Sequence, residues 1–590
     1  VLIALAMGDQ QAIGHRWWEI FNRTGVGHLM SISGLHITML AALAMGLARR
    51  ALRLPTGLNR RLLARCPGPW LHWGFGVSVA FVYAGIAGWG IPAQRTCWML
   101  LLTALAVLSG RCRGILAILG LAAAVVTLID PWAPTAAGFW LSFVAVAAIA
   151  VYGSSRRLRS VADDAQALTS PGRAGLGDRL DRLLREAVAS QWAATLSLLP
   201  LSALFFSSVS LVSPLANAFA IPLVSILITP LVLAYAMMAL LMPGLAQGLS
   251  VVLIAPTEAL LFALEFLSRW PYASWVLPRP DPFVLGLSAL GVFMLLRPHP
   301  VPMRPAWAFT LLPLFLGGAE LPGPGGIRVH ALDVGQGSAV LIEANGFRML
   351  FDAGPLWSAD SNAGQRIVAP WLRARGVRRI DLLVVSHPDL DHAGGVLDVL
   401  RSVKVDAVIS SIPSGHPFRI DHPNHRSCRR GDLWRQAAVE IEILHPGDEM
   451  PPGAARSPTN ARSCVMRLRT TAGSVLLTGD LEARQEHDLV NRYGADRLAA
   501  DVMIVPHHGS NTSSTEAWLA AVAPRWAVIQ SGYRNRFGHP KPKVLDRYER
   551  AGIVVFRNDL HGAISIELAQ GQSPTITKSR VDRAPYWRLK

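Results

Sequence analysis

The chain has 590 residues, of which 51% are hydrophobic and only 16% charged, and it carries a formal net charge of +17. This length excludes one ordinary domain, and a charged share well below the ~25% of soluble domains excludes a wholly soluble chain. The basic balance suits a polyanion or an anionic membrane surface, although positive loops that orient membrane helices account for part of it.

The chain opens VLIALAMGD, without Met or the basic start of a signal peptide, as expected of a fragment. Long apolar runs then dominate residues 27–320. A membrane-crossing helix needs ~17–25 apolar residues. Such stretches fall near 28–48, 71–91, 93–109, 114–129, 135–152, 190–212, 214–241, 245–268 and 282–297, with a weaker one at 304–318. Pro200, Pro222 and Pro230 sit inside spans, where neighbours can satisfy the freed carbonyls.

Basic residues mark alternate loops: Arg49, Arg50, Arg53, Arg60, Arg61 and Arg65; Arg111 and Arg113; the arginines of 153–187; and Arg297 with Arg304. With about ten crossings these loops share one side, which the positive-inside rule makes cytoplasmic. Residue 327 onward is then extracytoplasmic. Without a crossing at 304–318 it would be cytoplasmic.

Polar residues at membrane depth face a bundle interior or a water-filled path, unless they only bond helix to helix. HLMSISGLHITML, residues 28–40, brings His28, Ser31, Ser33 and His36 into one segment, a candidate pathway lining. Gln94 and Arg95 at the head of the third span are further candidates.

Residues 327–590 read as a soluble domain. IRVHALDVGQGSAVLIEANGFRMLFDAG contains two alternating runs around Asn345-Gly346, a hairpin signal. A helix is expected at 364–375, then a strand IDLLVVS and a helix HAGGVLDVLRSV. GSVLLTGD, DVMIVP and RWAVIQSG read as strands, and EARQEHDLVNRY and EAWLAAV as helices. The expectation is a layered α/β domain with polar clusters at strand ends. The five cysteines form no CxxC pair, so no zinc ribbon is implied. Cys428 and Cys464 share this domain and could pair if it is extracytoplasmic.

After IDLLVVS come His387, Asp389, Asp391 and His392, in H-x-D-x-D-H spacing. Asp480 ends a second strand and could bridge two cations; His507 and His508 end a third. Oxygen and imidazole ligands at three strand ends suit a two-metal site that clamps attacking and leaving oxygens and activates water. The carboxylate share favours two Mn²⁺, with Zn²⁺ an alternative. His445 in ILHPGD reads as a turn histidine. Arg366, Arg373, Arg375, Arg378 and Arg379, with Trp371, could form a DNA-binding face or simply a solvated one.

These motifs resemble the metallo-β-lactamase superfamily, whose usual signature is H-x-H-x-D-H; Asp389 replaces the second histidine. LDVGQGS, LLTGD and PHHGS in this order, with GVGHLMSISGLHI upstream, resemble the ComEC family of bacterial DNA-uptake channels over nearly the whole chain. The resemblance implies a polytopic α-helical channel domain at 1–320 and an αβ/βα metallo-β-lactamase-like domain at 327–590. It implies metal on His387, Asp389, Asp391, His392, Asp480 and one of His507 and His508, with Asp391, His508 and His539 catalytic and Asp333 and Gln336 near the metal. Ser338 stands where the family usually has Asp, and the family's oligonucleotide-binding barrel is not visible.

The expected function is a channel of the bacterial inner membrane that passes single-stranded DNA while an extracytoplasmic nuclease degrades the other strand of double-stranded DNA. The sequence has no GxxxxGK[ST] loop, so a cytoplasmic helicase or translocase would use ATP, and a DNA receptor would feed the channel. The alternatives are a lactamase-like domain that only binds DNA and a membrane-tethered phosphodiesterase of wall or lipid substrates.

Overall fold

The computed structural model describes residues 1–30, 34–110, 114–167, 176–297, 301–318, 320–413, 416–436, 438–447 and 459–582. Ser31, Ser33, Arg111 and Arg113 lie outside the described residues, as do most side chains of 153–187. The chain divides into Val1–Gly317 and Gly318–Lys590.

The first unit is helical. Among the described residues, five helices are long and apolar enough to cross a membrane: Gly27–Ala51, Ile91–Leu108, Leu184–Phe206, Ser213–Leu241 and Pro243–Ser268. Ile115–Ile129, Ala137–Gly153 and Pro282–Leu296 are shorter apolar helices. The Ser213–Leu241 span contains a π-helical stretch, Leu223–Ile228, between Pro222 and Pro230, where missing N–H groups break the regular ladder.

The expected α-helical span at 304–318 is not one. It is a 3₁₀ helix, Arg304–Leu311, followed by Leu312–Leu316, because Pro305 and Pro313 each remove an N–H donor. It nevertheless runs back along Pro282–Leu296. Arg304 Nε donates to the Leu295 carbonyl at 2.8 Å, and Ser288 Oγ to the Thr310 carbonyl at 3.4 Å. An added Cβ at Gly291 would meet Trp307 O at 2.9 Å, and one at Gly317 would meet Pro278 Cγ at 2.7 Å. A 3₁₀ helix rises ~2.0 Å per residue against ~1.5 Å for an α-helix, so residues 304–316 run about as far as the α-helix beside them.

The polar candidates of this unit separate. His36 is fully buried, its Nε2 3.2 Å from Thr229 Oγ1, whereas His28 is exposed. Gln94 is half-buried, its Nε2 donating to the Trp89 carbonyl at 2.8 Å. Arg95 is buried against Gly138, and among the described residues its Nε and Nη1 have no hydrogen-bond partner.

Beside a small hairpin of Leu356–Ser358 and Ser361–Asn362, the second unit places, among its described residues, fifteen short strands in two mixed sheets. They are β1 (Ile327–Ala331), β2 (Val340–Ala344), β3 (Phe347–Phe351), β4 (Arg379–Val385), β5 (Lys404–Ser410), β6 (His425–Ser427), β7 (Leu433–Gln436), β8 (Val439–His445), β9 (Val465–Arg469), β10 (Ser474–Leu477), β11 (Val502–Ile504), β12 (Trp526–Ile529), β13 (Val554–Arg557), β14 (Ile564–Leu568) and β15 (Thr575–Lys578). The eight-stranded sheet orders β6-β5-β4-β3-β2-β1-β14-β15, and the seven-stranded sheet β7-β8-β9-β10-β11-β12-β13. Each sheet has an antiparallel half and a parallel half: β3 pairs antiparallel with β2 and parallel with β4, and β10 antiparallel with β9 and parallel with β11. The Asn345-Gly346 turn joins β2 to β3 with Ala344 opposite Phe347, both turn residues at positive φ, as a tight hairpin requires.

Side chains alternate between two environments, the period-2 consequence of strand geometry. Ile342, Met349, Val384, Met466, Val475 and Val528 fill the core between the sheets. Their neighbours Leu341, Leu350 and Leu383 face helices 369–374 and 396–402. Leu476, Met503 and Ala527 face helices 483–498, 516–522 and 542–550. The result is a four-layer αβ/βα sandwich. It leaves the parallel strands of both sheets ending along one seam.

One buried carboxylate ties the first sheet to its helices. Glu343 has no solvent exposure and accepts Arg375 at 2.8 Å, Arg348 at 3.2 Å and His330 at 3.2 Å. Burial raises its pKa, but the bond from His330 and the charge of Arg375 outweigh this and hold it down at about 2. Glu343→Ala would strand these cations, and breaking such a cluster from one side costs on the order of 3 kcal/mol. Thermal unfolding should show this loss, with a smaller one for Glu343→Gln.

Candidate metal centre

The chemistry-bearing residues lie in the loops that follow strand ends. β4 runs into Ser386-His387 and then Asp389, Asp391 and His392. β10 runs into Thr478-Gly479-Asp480, and β11 into Val505-Pro506-His507-His508. Asp391, His392, Asp480 and His508 offer ligand atoms within 4.8 Å of one another.

Asp480 divides the ligands. Its Oδ1 faces His392 Nε2 at 3.0 Å and His508 Nε2 at 3.6 Å, and His508 Nε2 is 3.3 Å from Asp391 Oδ2. Its Oδ2 faces His387 Nε2 at 3.9 Å and His507 Nε2 at 3.8 Å, and His387 Nε2 is 3.6 Å from Asp389 Oδ2. One carboxylate thus stands between two ligand groups. His387, His392, Asp480 and His508 are buried, whereas Asp389 and Asp391 are 39% and 33% exposed and form the open side.

Residues outside the ligand groups orient them. Asp352 Oδ2 takes His392 Nδ1 at 2.7 Å, and the Gln530 carbonyl takes His508 Nδ1 at 2.7 Å. When neutral, both imidazoles therefore carry their N–H on Nδ1 and a lone pair on Nε2. Those two Nε2 atoms face each other at 3.3 Å. Among the described residues, the buried Nε2 of His387 and Oδ1 of Asp480 have no hydrogen-bond partner of good geometry. Lone pairs and a carboxylate converging on one point fit a cation, so the donor set fits a divalent metal pair. Thr459 Oγ1 donates to Asp389 at 2.9 Å, and the Asp480 backbone N–H to Ser463 Oγ at 3.0 Å.

The backbone is committed to this arrangement. His507, His508 and Asp352 have φ of 49°, 52° and 60°, a left-handed conformation uncommon for residues other than glycine. Gly337 lies against the metal loop, where an added Cβ would meet the Asp391 carbonyl oxygen at 2.3 Å.

The other expected residues divide. His539 flanks the centre, its ring 5.9 Å from that of His507; burial, then the nearby His508 and His507, push its pKa down to about 4. Gln336 Oε1 accepts the Gly532 N–H at 3.4 Å. Asp333 pairs with Arg580 and, among the described residues, contacts no ligand. Ser338 is buried and donates to Gln530 Oε1 at 2.9 Å, so it braces the residue that orients His508. His445 bonds the Ser463 carbonyl. Of the expected DNA-binding arginines, Arg375 is held by Glu343 and lies 5.2 Å over the Trp371 ring, and Arg379 pairs with Asp406. Arg366 and Arg378 are exposed and Arg373 is half-buried. Asp352 and Gln530 escaped the sequence reading. The only available signal was their place, each one residue past a strand end.

Without metal the centre is charged. Burial lowers the pKa of His392, but Asp480, Asp352 and Asp391 override it and hold it well above the usual value. Burial opposes the charge of His508 as well, but Asp480 and Asp391 raise its pKa. A metal must displace these protons, so affinity falls as pH drops below the raised pKa values and rises as pH climbs through them. Calorimetry with Mn²⁺ or Zn²⁺ in buffers of different ionisation enthalpy should show proton release. Asp352→Asn should weaken metal binding by about 10–100-fold.

Residues 5–300 match the family model described as Competence protein, and residues 332–532 that of the Metallo-beta-lactamase superfamily. The chain is 35% identical over 598 residues to "Competence protein ComA" of Neisseria gonorrhoeae, covering 100% of this chain and 77% of that one. It is 28% identical to "Recombination protein 2" of Haemophilus influenzae, over 100% of this chain and 74% of the relative. Identity to "ComE operon protein 3" of Bacillus subtilis is 26%, over 96% and 70%. Among solved structures, the metallo hydrolase Igni18 of Ignicoccus hospitalis is similar at 17% identity and a TM-score of 0.27, over 40% of this chain and 98% of its own. The chain is a membrane protein with a divalent-metal hydrolase fold at its C-terminal end, and it belongs to the competence-protein family.

Proposed function

We propose that this protein is the inner-membrane channel of natural transformation, passing one DNA strand inward while its C-terminal domain hydrolyses the other. The observation that carries the nuclease reading is the division of ligands about Asp480, with Asp389 and Asp391 open to an incoming phosphodiester. When bound, a divalent metal pair supplies charge neutralisation and an activated water. The carboxylate share of the donors favours Mn²⁺ over Zn²⁺. Asp480 holds the two ligand groups in register, Asp352 and Gln530 fix the imidazole tautomers, and His539 closes one flank. In the membrane unit, buried His36 and Arg95 are the residues proposed to meet the strand's phosphates, since buried guanidinium nitrogens without a partner among the described residues call for an anion.

Two observations support an extracytoplasmic domain. The 304–316 segment returns alongside Pro282–Leu296, which supplies the even crossing that the basic loops require. Cys428 and Cys464 form a disulfide, a bond that persists in oxidising compartments.

The test uses the full chain in nanodiscs with labelled single- and double-stranded DNA and Mn²⁺, Mg²⁺ or Zn²⁺. Cutting that depends on metal, and falls on the order of a hundredfold or more in an Asp389→Ala/Asp391→Ala variant, is expected. No cutting by metal-loaded protein leaves a domain that only binds DNA, and cutting of small phosphodiesters in place of DNA points to wall or lipid substrates. In Cys428→Ser cells, a membrane-impermeant maleimide should label Cys464 from outside after mild unfolding; labelling only after lysis would place the domain in the cytoplasm.

A further inference from the structure

The turn that follows β12, SGYRNRFGHP at 531–540, is the most exposed aromatic feature beside the centre. Tyr533 and Phe537 are 63% and 44% exposed. Arg534 lies 5.2 Å from the Tyr533 ring and Arg536 lies 4.7 Å from the Phe537 ring. Both arginines are exposed and, among the described residues, neither has a carboxylate partner. Two large rings left in water, each backed by an unpaired guanidinium, are not accounted for by packing.

The turn is held from within. Asn535 Nδ2 donates to the Gly532 carbonyl at 2.9 Å and to the His539 carbonyl at 2.6 Å, and its Oδ1 accepts the His539 N–H at 2.9 Å. Lys541 Nζ caps the Phe537 carbonyl at 2.7 Å. The rings are therefore presented by a fixed backbone, which lowers the entropy lost on binding. They also connect to the chemistry. Phe537 stacks on His539 at 5.7 Å and 23°, His539 meets His507 edge-on at 5.9 Å, and His507 Nε2 is 3.8 Å from Asp480 Oδ2. An aromatic row thus runs from solvent to the carboxylate that divides the ligand groups.

We propose that Tyr533 and Phe537 form a stacking platform for unpaired bases of a DNA strand entering the metal centre, with Arg534 and Arg536 on its phosphates. The proposal rests on the nuclease reading for its substrate. Exposed ring faces can stack only on bases freed from a duplex, whereas guanidinium contacts to phosphate do not distinguish the two forms. The platform therefore selects single strands, frayed ends or overhangs over intact duplex.

The test is equilibrium binding by full-length protein in nanodiscs, treated with chelator so that nothing is cut. The probes are a fluorescent single-stranded oligodeoxynucleotide, the same sequence as a blunt duplex, and vesicles of anionic lipid. A Tyr533→Ala/Phe537→Ala variant should bind the single strand about tenfold or more weaker, with the duplex changed less than about twofold. Tyr533→Trp/Phe537→Tyr should restore binding, which a role in folding alone would not allow. Arg534→Gln/Arg536→Gln should lower the salt dependence of single-strand binding by about 0.7 per arginine in log–log slope. Photocrosslinks from halogenated uracil should map to 533–537.

Single-strand binding unchanged in the alanine variant overturns the platform, as does an equal loss for strand and duplex. A loss confined to the vesicles overturns it in favour of a lipid contact. Wild-type protein that binds the strand through these rings but never cuts it, once reloaded with metal, sinks the nuclease reading and leaves the platform standing.

Discussion

The carboxylate of Asp480 is the constraint on which the rest of the soluble domain depends. It is buried, yet it faces His392 and His508 with one oxygen and His387 and His507 with the other. Desolvating a carboxylate is expensive unless cations or donors surround it. Here the surroundings are imidazoles whose protons are exchangeable for metal. In the metal-free protein Asp480 holds protons on His392 and His508, which is why burial fails to lower their pKa. The same arrangement offers its imidazole nitrogens to a divalent cation once those protons leave.

The centre is also where the two sheets are fastened together. His387, Asp389, Asp391 and His392 follow a strand of the first sheet, and Asp480, His507 and His508 follow strands of the second. Gln530 crosses the seam. Its Nε2 donates to the Leu332 and Ala339 carbonyls at 3.2 and 3.1 Å, its Oε1 accepts Ser338, and its carbonyl holds His508. Ligand geometry and sheet packing therefore cannot vary independently. A serine at 338 is compatible with the metal ligands because its hydroxyl serves this seam and makes no direct contact with them.

The membrane unit follows a different logic. Its helices expose broad apolar surface and bury few polar groups, and each buried group is specific. His36 meets Thr229 across nearly two hundred residues of chain, and Arg95 lies buried against Gly138. Side chains that could not sit in lipid are gathered inside, where polar groups at membrane depth acquire functional meaning. The 3₁₀ return at 304–311 belongs to the same economy of length, since a tighter, longer-rising helix matches a neighbour with fewer residues.

Much of this was legible in the residue order. Strands β2, β3, β4, β10, β11 and β12 announce themselves by apolar alternation or apolar runs, and the Asn345-Gly346 turn by its dipeptide. The candidate metal ligands cluster because one tight loop and two strand ends can supply them all. Strands β5 to β9 and β13 to β15 are not among the strands legible this way: β6 and β7 are short and exposed, and β8 and β9 carry charged residues on one face. A span at 304–318 was read as an α-helix because hydropathy does not record the donors missing at Pro305 and Pro313. What sequence alone determined is the inventory: which residues are apolar, which can hold metal, and where chain direction must turn. Only the tertiary structure decided how the inventory is divided, putting Asp480 between two ligand groups, Asp352 and Gln530 behind the histidines, Arg375 onto Glu343, and Tyr533 and Phe537 into solvent. Those outcomes depend on contacts between residues distant in the chain, and local pattern carries no information about which distant partner a polar side chain will meet.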